Sequence, residues 1–416
     1  MTMQSPATPA TVFPRAAVAF IFVLMMALAI SVIRFGAGEL LRVSNPALAL
    51  WFDPSQSDAR VTLALSRWLG NVDRGDEAIS EAREALAYSP LSPGALTLLA
   101  RVSEHDSDPA KAAALMQLAS RVDQRSLDAQ LWLLNQDVQN ARIPEVLRRF
   151  DVLFRGQNAD VADRLTSALA PVLTSEAYRP AFVAVLETVP TWRSHVLKRL
   201  AASASDLAGL GRLYASLSTV RNRLTAEELE PFLNRFVKEG RLDDAYIAWT
   251  QSLPPERLSK LDYLYNGRFQ YTITNLPFDW VFAPVDGALA RAEVENGRRI
   301  LDVDFFGGRV AFQHVSHFLT LPPGSYRFSG QERSQNLQND RGLWWRLACV
   351  GGTNATLGAT ELLTGETPWR EFRVDFEVPK DNCPYQKLVL ELPARAALET
   401  EIIGGVSYGN LEIKPN

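Results

Sequence analysis

Gly405-Val406-Ser407-Tyr408-Gly409 spells G-x-S-x-G, the pattern of a nucleophilic serine on a strand-to-helix elbow. That chemistry needs a helix after the serine and a histidine later in the chain. Only seven residues follow Gly409 and the last histidine is His317, so Ser407 is not expected to act as a nucleophile. His314 and His317 are three apart on an expected strand and point to opposite faces, which suits no shared metal ion. Carboxylates pair two residues apart at Asp302 and Asp304, Glu293 and Glu295, and Asp375 and Glu377. Each pair shares a strand face at about 7 Å, a spacing compatible with glycoside hydrolysis. Charges on a wet sheet face need no catalysis to explain them, so no catalytic residue is assigned and a non-enzyme is expected. Neither a metal nor another cofactor is expected.

Binding chemistry is better represented. In the run from Arg341 to Cys349, the alternation places Leu343, Trp345, Leu347 and Cys349 on one apolar face. Trp344 then points the other way beside Arg346. An indole on a wet face can stack on the C–H face of a sugar while a guanidinium donates to its hydroxyls. Arg327, Arg373 and Asp375 lie on the polar faces of their own strands and would complete a groove if those strands neighbour this one. Trp280 and Trp369 are secondary candidates in loop-like contexts. The competing account has Trp344 packed beneath the helical region or a long loop. Cys349 and Cys383, the only two cysteines, fall in one region, in the part that an N-terminal anchor would export, and a disulfide is the economical reading. Closing that loop would stabilise by about 3–4 kcal/mol in the chain-entropy model.

These residues sit in the last 152 positions, which hold 15 of 24 Gly and 19 of 39 aromatics. Strict alternation over 371–378 and 341–349, with similar runs at 288–295, 299–305, 309–319, 325–332, 386–392 and 405–413, predicts an antiparallel β-sandwich from about residue 265 to 416. Asn296-Gly297, Gly307-Gly308, Pro322-Pro323-Gly324 and Gly351-Gly352 supply its turns. The region resembles carbohydrate-binding modules of the galactose-binding-like jelly-roll kind. The resemblance is carried by Asn266-Gly267-Arg268-Phe269, Pro277-Phe278-Asp279-Trp280, the run from Leu321 to Phe328, and the closing Tyr408-Gly409-Asn410-Leu411-Glu412-Ile413. Arg268 and Gln270 depart from the family's opening motif. The resemblance implies a jelly roll and a glycan ligand.

Residues 53–262 have a different texture, rich in Ala, Leu and Arg and broken every 10–20 residues or so, as at Gly75, Ser89-Pro90, Asp108-Pro109, Asp123 and Pro144. That rhythm predicts antiparallel helix pairs. Ala78 and Ala112, Ala85 and Ala119, and Ala95 and Ala129 each lie 34 apart. The period and the Ala78, Ala85, Pro90 spacing resemble tetratricopeptide repeats, with Leu65 on the first-helix leucine. Thr62, Ser66 and Leu69 replace the family's Trp, Gly and Tyr, Gln124 replaces the proline, and Asp163 stands one period beyond Ala129. An unrelated helical bundle is the alternative. The repeat reading implies a protein-binding solenoid.

Ala16 to Ile33 contains no charge and is bracketed by Arg15 and Arg34. At ~1.5 Å per residue it spans about 27 Å, enough for a transmembrane anchor over 16–34 after a cytoplasmic tail of 1–15. A cleavable signal peptide ending at Gly36-Ala37-Gly38 is the competing reading. The net charge of −4 gives polyanions no general attraction, so nucleic acid is not an expected partner. Arg outnumbers Lys 36 to 7, a mark of a GC-rich bacterial source. The expected fold is therefore α then β: one transmembrane helix, a tetratricopeptide-like α-solenoid and a C-terminal jelly roll. The expected setting is the bacterial inner membrane with most of the chain in the periplasm. The expected role is a non-catalytic adaptor that joins a protein partner to a polysaccharide in cell-surface polysaccharide assembly or export. A glycan-processing enzyme and a pure protein scaffold are the alternatives.

Overall fold

A computed structural model describes residues 15–156, 159–352 and 354–416, and the expected tail, Arg15 aside, lies outside them. The chain divides into two compact units, 1–158 and 159–416. Among the described residues, α-helices run to Leu258 and the strands follow, with one 3-10 turn at Ala397–Thr400 before the last strand.

In the first unit, α1 (Arg15–Leu41) is followed by the short α2 (Pro46–Phe52). Its window Phe22–Leu41, of mean hydropathy 1.7, is long and apolar enough to cross a membrane. Three helix pairs come next: α3 (Ser57–Gly70) with α4 (Gly75–Tyr88), α5 (Pro93–His105) with α6 (Pro109–Val122), and α7 (Leu127–Gln139) with α8 (Ile143–Gly156). Ser92 and Asp108 cap α5 and α6 by accepting from the N–H groups of Ala95 and Lys111, each with proline at the first helical position. The second helices α4, α6 and α8 begin at 75, 109 and 143, a constant 34-residue step. Buried residues repeat with it: Ala78, Ala112 and Val146; Ala82, Met116 and Phe150; Ala85, Ala119 and Leu153. The first helices bury Val61, Ala95 and Ala129 at the same spacing. The third pair therefore keeps the register and fills it with larger side chains.

The second unit opens with α9 (Ala159–Leu173), α10 (Arg179–Glu187), α11 (Arg193–Ser203), α12 (Leu207–Thr219), α13 (Ala226–Lys238), α14 (Leu242–Ser252) and the single turn α15 (Pro255–Leu258). Among the described residues ten strands follow: β1 (Val281–Phe282), β2 (Ala288–Glu295), β3 (Arg298–Arg309), β4 (Val315–Leu319), β5 (Gly324–Gln338), β6 (Trp344–Val350), β7 (Thr356–Ala359), β8 (Gly365–Val378), β9 (Tyr385–Glu391) and β10 (Glu401–Pro415). They form two five-stranded antiparallel sheets, sheet I in the order β1-β4-β9-β6-β7 and sheet II in the order β2-β3-β10-β5-β8. Asn296 and Gly297 both take positive φ (51° and 76°), the left-handed pair that a two-residue hairpin between β2 and β3 requires. The core between the sheets is built from the inward sets Leu301, Val303 and Phe305 of β3, Val406 and Tyr408 of β10, Trp345 and Leu347 of β6, and Leu388 and Leu390 of β9. Cys349 and Cys383 are disulfide-bonded, tying the end of β6 to the turn before β9.

Candidate functional site

The two-sheet topology sorts the sequence candidates into three places. Trp280 is 0% exposed, stands in the core against Trp345 and His317, and donates its indole N–H to the Asn266 carbonyl. It offers no platform, because the chain from 276 to 280 turns inward to close one end of the sandwich. Trp344 and Arg346 do point away from the core, on the outer face of sheet I. There Glu391 on β9 holds both: Trp344 Nε1 donates to its Oε1 at 3.0 Å, and Arg346 donates through Nε at 2.7 Å and Nη2 at 3.0 Å. Trp344 is half-buried.

Arg327, Arg373, Asp375 and Trp369 belong to β5 and β8 in sheet II. The strands of the expected groove therefore do not neighbour β6, and no single groove joins Trp344 to Arg327, Arg373 and Asp375. Alternation gives the correct side of each strand but not the sheet it joins, which long-range pairing decides.

The outer face of sheet II collects the polar side chains. Register places Asp302, Ser407 and Arg333 side by side on β3, β10 and β5. Arg291 on β2 donates to Asp304 Oδ2 at 2.6 Å, Asp302 Oδ2 at 2.7 Å and Glu293 Oε2 at 2.9 Å. Ser407 Oγ donates to Asp302 Oδ1 at 2.8 Å and accepts from Arg333 Nη2 at 3.1 Å, while Arg333 Nη1 reaches Glu295 Oε1 at 2.9 Å. The Arg333 guanidinium lies 4.8 Å from the Trp369 ring centre, a cation–π contact. Trp369 is 36% exposed. Farther along the same face, Arg327 forms a bidentate pair with Asp375, and Arg373 bonds Glu371. Beside Arg333 and Trp369 the central strand β10 contributes Gly405, Ser407 and Gly409, a low floor between taller flanking side chains, while Glu412 and Lys414 stand beside Ser329 and Arg327 farther along.

Electrostatics follow from that packing. Burial pushes the Asp302 carboxyl above its ordinary value, against the lowering effect of the Ser407 hydroxyl. The carboxylates around Arg291 raise its pKa further. Asp375 is held below the ordinary carboxylate range by Arg327. The i, i+2 carboxylate pair Asp302–Asp304 is thus bridged by one guanidinium. The Ser407 hydroxyl bonds a carboxylate and a guanidinium, and no histidine hydrogen-bonds to it among the described residues. His317 is buried in the sandwich, with its two ring nitrogens against the carbonyls of Phe318 and Tyr265. Among the described residues no cluster of His, Cys, Asp or Glu has the arrangement of a metal site.

A second feature escaped the sequence reading. An open cleft of about 930 Å³ lies beside α14, lined by Tyr246, Trp249, Tyr263, Tyr265, Tyr271 and Phe318 among others. Most of these rings pack on one another: Trp249 meets Tyr265 edge-on at 5.0 Å and Phe278 at 5.7 Å, and Tyr265 stacks on Tyr271 at 6.0 Å. They seat α14 against the sandwich. The density of aromatics over 263–271 was the available signal.

Fold and site together define a class: a chain of paired helices ending in a disulfide-bonded antiparallel β-sandwich. No family model matches the chain, and no curated protein matches it. Among solved structures, a CBM4 structure is similar at 14% identity, with a TM-score of 0.29, covering 37% of this chain and 99% of its own. TmCBM61 in complex with beta-1,4-galactotriose is similar at 13% identity and a TM-score of 0.25, covering 38% and 99%. A Pseudomonas aeruginosa pilF structure is similar at 17% identity and a TM-score of 0.28, covering 48% and 90%. The fold itself is defined by the helix spacing and strand pairing of this chain.

Proposed function

We propose that the protein is a membrane-tethered, non-catalytic adaptor of the bacterial envelope. Its helical repeats hold a protein partner, and its sandwich binds a polysaccharide on the outer face of sheet II, in cell-surface polysaccharide assembly or export. The observation that carries the reading is the convergence of Trp369, Arg333, Arg373, Arg327 and Asp375 with the carboxylates of β2 and β3 on one face, beside Gly405, Ser407 and Gly409 of the central strand. An aromatic ring edge with charged donors and acceptors around it is the chemistry that holds a sugar. Arg291 engages one oxygen of Asp302 and one of Asp304, so the pair takes part in the hydrogen-bonded face on which the reading rests.

The test is a glycan-array screen with the detergent-solubilised full chain, repeated with Trp369→Ala and Trp344→Ala alongside melting temperatures. Trp369→Ala should weaken the retained glycan about tenfold at unchanged stability. Trp344→Ala should leave binding intact. Glycan turnover would establish the enzyme instead, and silence across the array would leave a protein scaffold.

A further inference from the structure

We propose that α2 is a membrane-interface helix: Trp51, with Phe35 and Leu48, sits at the headgroup–acyl boundary, and the hydrocarbon ends at Arg34 rather than at Leu41. The proposal rests on the reading that α1 spans the bilayer.

After α1 the chain turns at 42–45 and α2 folds back along the last two turns of α1. Arg34 Nε donates to the Phe52 carbonyl at 2.9 Å, which brings the end of α2 to the level of Arg34. Halfway along, Gly38 lies so close to Asp53 that a Cβ there would stand 3.0 Å from the Asp53 Cβ, and Ala49 is fully buried. Beyond that, Gln56 Nε2 donates to Glu39 Oε2 at 2.9 Å and Arg42 Nη1 pairs with Asp58 Oδ2 at 2.6 Å. Arg34, Glu39, Asp53 and Gln56 would lie in acyl chains if the hydrocarbon reached Leu41, where charged groups are strongly disfavoured. Setting the boundary at Arg34 leaves Ala16 to Ile33 inside, eighteen residues or about 27 Å, which matches the hydrocarbon thickness.

That boundary explains what water alone would not. Trp51 is 72% exposed and Phe35 65%, both beside the Arg34–Phe52 contact, and Leu48 is exposed one turn away. They continue the exposed apolar surface of α1, from Phe20 to Ile33, directly past Arg34. A tryptophan next to an arginine at the end of a spanning helix has the side-chain order of a membrane interface: apolar body toward the acyl chains, polar edge toward the headgroups. The occupant of this surface is therefore the bilayer, which anchors the first residues beyond the span and limits their tilt.

Both native cysteines are paired, so one introduced cysteine can carry an environment-sensitive fluorophore. The full chain would be reconstituted in phosphatidylcholine–phosphatidylglycerol vesicles containing lipids spin-labelled either near the headgroup or near the acyl-chain end. Probes at Trp51→Cys and Leu48→Cys, the second keeping the tryptophan, should lose fluorescence to the shallow label and little to the deep one. Val23→Cys should lose it to the deep label, and Leu91→Cys, on an exposed turn, to neither. If Val23→Cys is quenched while positions 48 and 51 behave like 91, the interface proposal is overturned and the span survives. If positions 48 and 51 respond to the deep label as Val23 does, the boundary at Arg34 is wrong. If Val23→Cys is not quenched either, the spanning reading fails and the proposal with it.

Discussion

Between α11 and α13 a guanidinium and a carboxylate lie almost wholly out of water. Arg193 Nη2 meets Glu228 Oε2 at 3.0 Å with both side chains buried, and Arg193 also donates to the carbonyls of Leu186, Asn222 and Arg223. Removing one partner strands the other, so Arg193→Met should cost about 3–5 kcal/mol in urea unfolding. Adding Glu228→Leu should recover much of that loss. Recovery should be incomplete, because Arg193 also serves the carbonyls of Leu186, Asn222 and Arg223 and Glu228 also completes the capping box of α13 with Thr225. Full additivity of the two substitutions would show that the pair is not coupled. Asp302 makes a pH prediction at the same scale. Its carboxyl binds a proton more readily folded than unfolded, so it favours the fold below its ordinary pKa of 3.8 and loses that advantage as pH rises through its folded value. Asp302→Asn should flatten the melting temperature across that acid window, and an unchanged profile would remove Asp302 as its source. Single side chains were the least legible part of the sequence. Alternation showed that Trp344 and Arg346 leave the core, yet Glu391, forty-odd positions away, is what holds them. Trp280 read as a loop residue because its context is irregular, although an irregular segment can close a core as well as a strand can.

Helices were legible where side chains stayed small. Ala78, Ala85, Ala112 and Ala119 revealed the 34-residue step because alanine marks close helix approach. The third pair was hidden because Val146, Phe150 and Leu153 fill the same positions without resembling them. Phe150 stacks on Phe154 at 4.2 Å and is fully buried, so Phe150→Ala should destabilise the first unit by about 3–5 kcal/mol, read as a lower urea midpoint for loss of helical circular dichroism. A change within error would mean that α8 lies outside the cooperative repeat. Most strands were legible from alternation, although the run 309–319 is strand only from Val315 to Leu319 beyond the end of β3. β1, with two residues, and β7, with four and a register shift, carry too little pattern to find. Sheet membership was not legible at all. It depends on pairings such as β10 between β3 and β5, as in Ser407 with Asp302 and Arg333, residues far apart in the chain. That one fact decides the candidate site, because it moves Arg327, Arg373 and Asp375 away from Trp344 and onto the face of Trp369.

For the whole molecule, the apolar helix and the disulfide make linked demands on compartment. Cys349 and Cys383 are joined across 34 residues, and a closure of that length contributes about 3–4 kcal/mol in the chain-entropy model. Such a bond is favoured where thiols are not kept reduced, which on the proposed reading is the far side of the inner membrane. The N-terminal helix is the element that would deliver the sandwich there, and its apolar length is what delivery requires. A chain beginning at Asp53 and expressed without that helix should therefore stay in the cytoplasm with both cysteines open to alkylation. The full chain in the same cells should resist alkylation until reductant is added, and protease applied to spheroplasts should remove its sandwich. Reducing the purified full chain should lower the urea midpoint for the loss of near-ultraviolet signal by an amount equivalent to about 3 kcal/mol. Alkylatable cysteines in the full chain, with a sandwich that protease leaves intact in spheroplasts, would place the bulk of the protein inside. An envelope glycan could then not be its ligand.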